Sequence, residues 1–215
     1  MKSSVEPINA DAQMNAAGSY TSALFDYDQF QVNRKILSIA GKYHVLDGNG
    51  NPVCYVDRPL LKVKAQFGVF TDDSKARKIM TLQQDSLIAI NMKCSLLDEN
   101  EQLIATFERK GFMSMIRRTW IISDAAGKPV AKAMEDSLVK ALFRRFLGKS
   151  PLGFVFRTNF ILTKSDETPL GDFIRAWSLK DNHVLDLSGD SARHLDRRIA
   201  VGIAILLDNM EPHDA

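Results

Sequence analysis

Cysteine is scarce in this 215-residue chain: only Cys54 and Cys94 are present, too few for a disulfide framework. Both fall in runs that alternate with apolar residues, so they are expected to be buried thiols that behave as small hydrophobes. Long hydrophobic runs are missing too. The longest uncharged apolar stretch, Ile199 to Leu207, has nine residues, against the roughly 20 a membrane-spanning helix needs. The N-terminal MKSSVEPINADAQMNAAGSY has no apolar core of the kind a signal peptide carries. A soluble, cytoplasmic protein is the expectation. G-x-S-x-G, H-E-x-x-H and C-x-x-C are all lacking, and no glycine-rich phosphate loop follows a strand. The four histidines, His44, His183, His194 and His213, are scattered without metal-ligand spacing. Catalysis needs an activated group with partners, and none stands out, so no enzyme, metal or cofactor is expected.

What is present is ordinary in total and uneven in distribution. The chain is 45% hydrophobic and 25% charged, which suits one globular domain with a normal core. The expected layout is a polar tail over 1–19, a single domain over 20–210 and a short tail over 211–215. Net charge is +2, but residues 109–157 hold 11 basic and 3 acidic side chains, or +8, against −2 before them and −4 after. This basic block is the main electrostatic feature.

The stretch YHVLDGNGNPVCYVD at 43–57 sets oxygen-bearing side chains at alternate positions, as a calcium loop does. An EF-hand loop counted from Asp47 would need Gly at position 6 and Glu at position 12; Pro52 and Arg58 stand there. The flanks are β-branched and aromatic, so the stretch is a hairpin. CSLLDENEQLIATF (94–107) and WIISDAAGKPVAKA (120–133) repeat it, and FILTKSDETPLGDFI (160–174) is a looser copy. Asp47, Asp98 and Asp124 end the first strand of their hairpins, where a short carboxylate can hold an Asx turn. Pro52, Pro129 and Pro169 follow the turns, where a missing N–H costs least. Many short strands with turns at close spacing suggest an antiparallel sandwich or barrel.

Two segments differ. Ser137–Leu147 has apolar residues at 138, 139, 142, 143, 146 and 147, the spacing of an amphipathic helix, with Lys140, Arg144 and Arg145 on its other face. Glu135-Asp136 stands beside its start, where carboxylates favour a helix N-terminus. From Ser191 to Asn209 a helix-start signal leads into Ile199–Leu207, apolar on every side. Helix and strand both remain open there, but either must be enclosed by protein. Trp120 and Trp177 lie in strand patterns and are expected in the core or barrel wall.

In order and spacing, LFDYDQFQVNRKILSIAGKYHVLDGNGNPV (24–53), RKGFMSMIRRTWIISDAAGKPVAKAMEDS (109–137), LFRRFL (142–147) and HLDRRIAVGIAILLDN (194–209) resemble the LURP-one-related proteins, which share the tubby C-terminal-like fold with phospholipid scramblases. The resemblance implies a closed antiparallel barrel of about twelve strands around a hydrophobic C-terminal helix. It also implies possible contact with lipid, since tubby relatives bind phosphoinositides, although no lipid-contacting motif matches residue by residue.

The expected function is non-enzymatic binding of anionic phospholipid or phosphoinositide, peripheral to a membrane. The expected ligand residues are Arg117, Arg118, Lys140, Arg144, Arg145 and Lys149, with Phe143, Phe146 and Leu147 inserting shallowly. The alternative is a protein-interaction or structural module without a lipid ligand. Phospholipid scrambling ranks third, because the acidic loop is no calcium site and the apolar run is short. Nucleic acid is not expected, as no reader motif is present and net charge is near zero.

Overall fold

A computed structural model describes residues 23–34, 42–59, 65–86, 91–110, 118–135, 156–176 and 182–210. The expected strand Leu87–Met92 begins outside this set, and so do Trp177 and the helical segment 137–147.

Twelve strands occur among the described residues, each antiparallel to its sequence neighbours: β1 (Gln29–Arg34), β2 (Lys42–Asp47), β3 (Pro52–Asp57), β4 (Gln66–Phe70), β5 (Lys78–Gln84), β6 (Asn91–Asp98), β7 (Leu103–Lys110), β8 (Thr119–Asp124), β9 (Pro129–Glu135), β10 (Phe156–Lys164), β11 (Pro169–Ala176) and β12 (Asn182–Asp186). β12 pairs with β1, Leu185 opposite Phe30, so the sheet closes and leaves no free edge. Alternation decides what faces inward. In β2, Tyr43, Val45 and Asp47 are buried while Lys42, His44 and Leu46 are half-buried; in β12, His183 and Leu185 are the buried pair. β3 and β5 bury four successive residues each, so both of their faces are covered.

The hairpins share one local design. In the first, Oδ1 of Asp47 accepts the N–H groups of Asn49 (2.9 Å) and Asn51 (2.8 Å). Asp98 does the same for Asn100 and Gln102, and Asp124 for Ala126 and Lys128. The fourth turn residue is left-handed in each: Gly50 (φ 87°), Glu101 (φ 62°) and Gly127 (φ 79°). A type I turn followed by a left-handed residue makes a three-residue loop with a bulge. The ladders shift register at those points, between Val45 and Leu46, Leu96 and Leu97, and Ile122 and Ser123. The loose copy keeps the backbone with Glu167 at φ 67° but has Lys164 where the aspartate would stand; Asp166 takes the Thr168 N–H instead. The turn aspartates are thus structural, and Pro52, Pro129 and Pro169 each open a strand, as expected.

The barrel is filled by helix α1 (Arg197–Met210). Ile199–Val201 and Ile203–Leu207 are at most 5% exposed and Gly202 is buried with them, and burying each large aliphatic is worth about 1.5–3 kcal/mol. Gly202 lets the helix approach the wall: a Cβ there would lie 3.1 Å from Leu96 Cδ2 and 3.2 Å from Phe107 Cζ. Gly171 does the same for the wall itself, since a Cβ would fall 2.0 Å from the Asp186 carbonyl oxygen. The residues ahead of the helix share the turn's backbone, with the Arg193 N–H on the Asp190 carbonyl, but not its side-chain pattern. Asp190 receives the N–H groups of His194 and Leu195, with Arg193 at φ 54°. The helix starts at Arg197, within the 191–209 segment that carries the start signal, and Asp196 caps it through the Arg198 N–H at 2.9 Å.

Candidate ligand-binding end of the barrel

Strict antiparallel order sorts the connections into two sets. The Asx hairpins β2–β3, β6–β7 and β8–β9, with β4–β5 and β10–β11, all turn at one end, where α1 also begins. The connections β1–β2, β3–β4, β5–β6, β7–β8, β9–β10 and β11–β12 leave from the other end, where α1 finishes.

The hairpin end is neutralised internally. Arg197, 5% exposed, donates from Nε to the Tyr27 carbonyl, from Nη1 to Asp190 Oδ2 (2.8 Å) and the Leu195 carbonyl, and from Nη2 to Asp28 Oδ1 (2.7 Å) and the Asp190 carbonyl. Burial pushes the Asp190 carboxyl up, but the Leu195 and His194 N–H groups and the Arg197 guanidinium outweigh it and hold the carboxyl below its usual range. Arg193 pairs with Asp26 and lies near Asp28. Carboxylates gathered at a helix N-terminus also suit its dipole.

At the opposite end lie the strand ends that bound the two undescribed stretches of the basic block. β7 finishes at Lys110 and β8 starts at Thr119; β9 finishes at Glu135 and β10 starts at Phe156. These four strands are adjacent, so segments 111–117 and 136–155 begin and end side by side on one rim. Arg118 is half-buried there, its Nε 3.6 Å from Glu135 Oε2 and its carbonyl accepting the Glu135 N–H at 2.8 Å. Glu135 therefore serves a cross-strand pair at the end of β9. Arg117, Lys140, Arg144, Arg145 and Lys149 lie outside the described residues, as does Asp136.

Within the barrel at this end stand buried polar groups. Tyr43 Oη donates to Asn209 Oδ1 at 2.6 Å, and Asn209 Nδ2 to the Ile205 carbonyl at 2.8 Å. His183 Nδ1 lies 2.8 Å from Asp208 Oδ1, both residues 1% exposed, with the imidazole stacked on Phe173 at 4.9 Å and 7°. The available signals were a histidine at an inward position of an alternating strand and an acid inside an all-apolar helix. His44 projects outward, its ring 5.2 Å from that of Tyr55.

Thiol chemistry is disfavoured. Burial pushes Cys54 far above its ordinary value, and burial with Asp85 nearby takes Cys94 up to about 12, so neither offers a thiolate at neutral pH. Among the described residues no group of three or more His, Cys, Asp or Glu could hold a metal. No helix among them is long and apolar enough to cross a membrane.

Compared with known proteins, residues 26–143, more than half of the chain, match the model of the LURP-one-related family. An X-ray structure of a protein from Arabidopsis thaliana is similar over 86% of this chain and 91% of that one, at 14% identity and a TM-score of 0.46. No curated protein matches.

Proposed function

The chain belongs to the LURP-one-related family, and on that premise we propose that it is a non-enzymatic binding barrel for the headgroup of an anionic phospholipid or phosphoinositide. The ligand engages the rim where α1 finishes. One observation carries this reading: the two parts of the basic block, 40 residues apart in places, are anchored on four neighbouring strands at one end, away from the acid-rich hairpin end. Segment 136–155 contributes Lys140, Arg144, Arg145 and Lys149 against Asp136, a net +3. At about 1 kcal/mol per basic residue near an anionic surface, that is about 3 kcal/mol, more than a hundredfold in partition. Phe143, Phe146 and Leu147 add shallow apolar insertion. Arg117 belongs to the β7–β8 connection, whose strands neighbour those that bound 136–155; Arg118, already paired with Glu135, adds less.

Vesicle sedimentation tests the proposal. Vesicles containing phosphatidylserine or phosphoinositide should carry the protein down at low salt and release it at high salt. Arg144→Glu with Arg145→Glu changes the local charge by −4 and should abolish binding. No binding at low salt would reject the lipid ligand and leave the barrel a protein-interaction or structural module. Binding that survives the double charge reversal would place the site elsewhere. A labelled-lipid flip assay is expected to show no scrambling.

A further inference from the structure

The two ends of α1 are held in opposite ways. At its start every donor of the buried Arg197 guanidinium has a named acceptor or lies against one, Asp190 is bonded on both oxygens, and Asp196 caps the first turn. All these carboxylates stand at the positive end of the helix dipole. At its finish the last turn has no basic residue and instead holds Asp208, a carboxylate 1% exposed at the negative end of the dipole. Neither of its oxygens receives an aligned hydrogen bond among the described residues. His183 Nδ1 lies 2.8 Å from Asp208 Oδ1, but off the hydrogen-bond line. Among the described residues the turn is also tied by Asn209, to Tyr43 and to its own Ile205 carbonyl.

A buried charge that is poorly paired is costly, and hydration relieves it. We infer that α1 is anchored at its start and latched at its finish, with the His183–Asp208 contact as the latch, so that the last turn from Leu206 opens and closes as a local unit while Ile199–Ala204 stays seated. Opening would hydrate Asp208 at the end of the barrel where β7 and β9 finish and β8 and β10 start. This inference does not depend on the lipid reading, because it concerns the free protein.

Amide hydrogen exchange on the unmodified full chain tests it without any variant. Amides of 206–210 should exchange about 100-fold faster than those of 199–204, which should open only with global unfolding. His183→Ala leaves Asp208 without its counter-group, and should speed exchange at 206–210 at least tenfold while changing 199–204 less than about threefold. Replacing both partners, His183→Leu with Asp208→Leu, removes the buried charge and should slow the last turn toward the rest of the helix. Uniform protection along α1 in the unmodified protein would overturn the inference. So would a His183→Ala effect spread evenly over the helix, which would make the pair an ordinary part of the core.

Discussion

Replacing Arg197 with leucine should be among the most damaging single changes in the molecule. The guanidinium is 5% exposed and makes five hydrogen bonds, two to carboxylates and three to carbonyls. Leucine fills part of the volume and satisfies none of these groups. Asp190, 2% exposed, would keep two backbone N–H donors but lose its only described cation, and three carbonyls would lose a donor. Breaking a buried pair from one side costs about 3–5 kcal/mol, about a fifth or more of the total stability of a typical domain at roughly 5–15 kcal/mol. With a urea slope of about 2 kcal/mol/M, the unfolding midpoint should fall by about 1.5–2.5 M. Arg193→Ala is the control: its partners Asp26 and Asp28 are exposed, and such pairs are worth about 0–1 kcal/mol. Equilibrium urea unfolding by circular dichroism reads both. A loss below about 1 kcal/mol for Arg197→Leu, or one no greater than for Arg193→Ala, would refute the claim that this buried clasp seats the helix.

Other consequences follow from backbone and charge. Gly171→Ala would set a Cβ 2.0 Å from the Asp186 carbonyl oxygen, so β11 and β12 must separate locally; a loss of about 1–3 kcal/mol or more in urea unfolding is expected. Glu101 holds a left-handed backbone at φ 62°, and Glu101→Gly should raise stability by about 0.5–1 kcal/mol, read as a higher melting temperature. The carboxyl of Asp47 is held below its usual range, first by the Asn51 side-chain amide and then by the Asn51 N–H. A lowered folded value means stability is present above the unfolded carboxylate range near about 4 and is lost as pH falls below it. Melting temperature should therefore drop through that acid limb, and Asp47→Asn, which keeps the oxygen acceptor, should make the drop shallower.

Much of this fold is legible in the sequence, and the reasons are local. The Asp-turn-Pro repeat encodes β2–β3 and β8–β9 because one aspartate oxygen can satisfy two turn N–H groups. The bulge that follows is legible where glycine marks it, at Gly50 and Gly127, but hidden at Glu101 and Glu167, where the same backbone is built without glycine. The apolar run Ile199–Leu207 shows that it must be enclosed, but it fits helix and strand equally; only the family resemblance settled that. The helix-start signal in 191–209 holds, but which residue caps the helix emerges only in the structure, where Asp196 takes the Arg198 N–H and Asp190 instead holds the turn before it. The polar fastenings were not legible. His183 and Asp208 are 25 positions apart and Asp28 and Arg197 are 169 apart, and only seating α1 inside the closed barrel brings each pair together. The basic block was visible as composition, but its two anchorages on one rim emerge only from strand order.

The central claim is that ligand is met at the rim where α1 finishes. Hydrogen-exchange footprinting of the full chain, with and without phosphatidylserine- or phosphoinositide-containing vesicles, tests it directly. Protection should appear in 109–118 and 136–155 and be absent from the hairpins at 47–52, 98–103 and 124–129. Protection centred on those hairpins, or vesicle binding that leaves 109–118 and 136–155 unchanged, would contradict it.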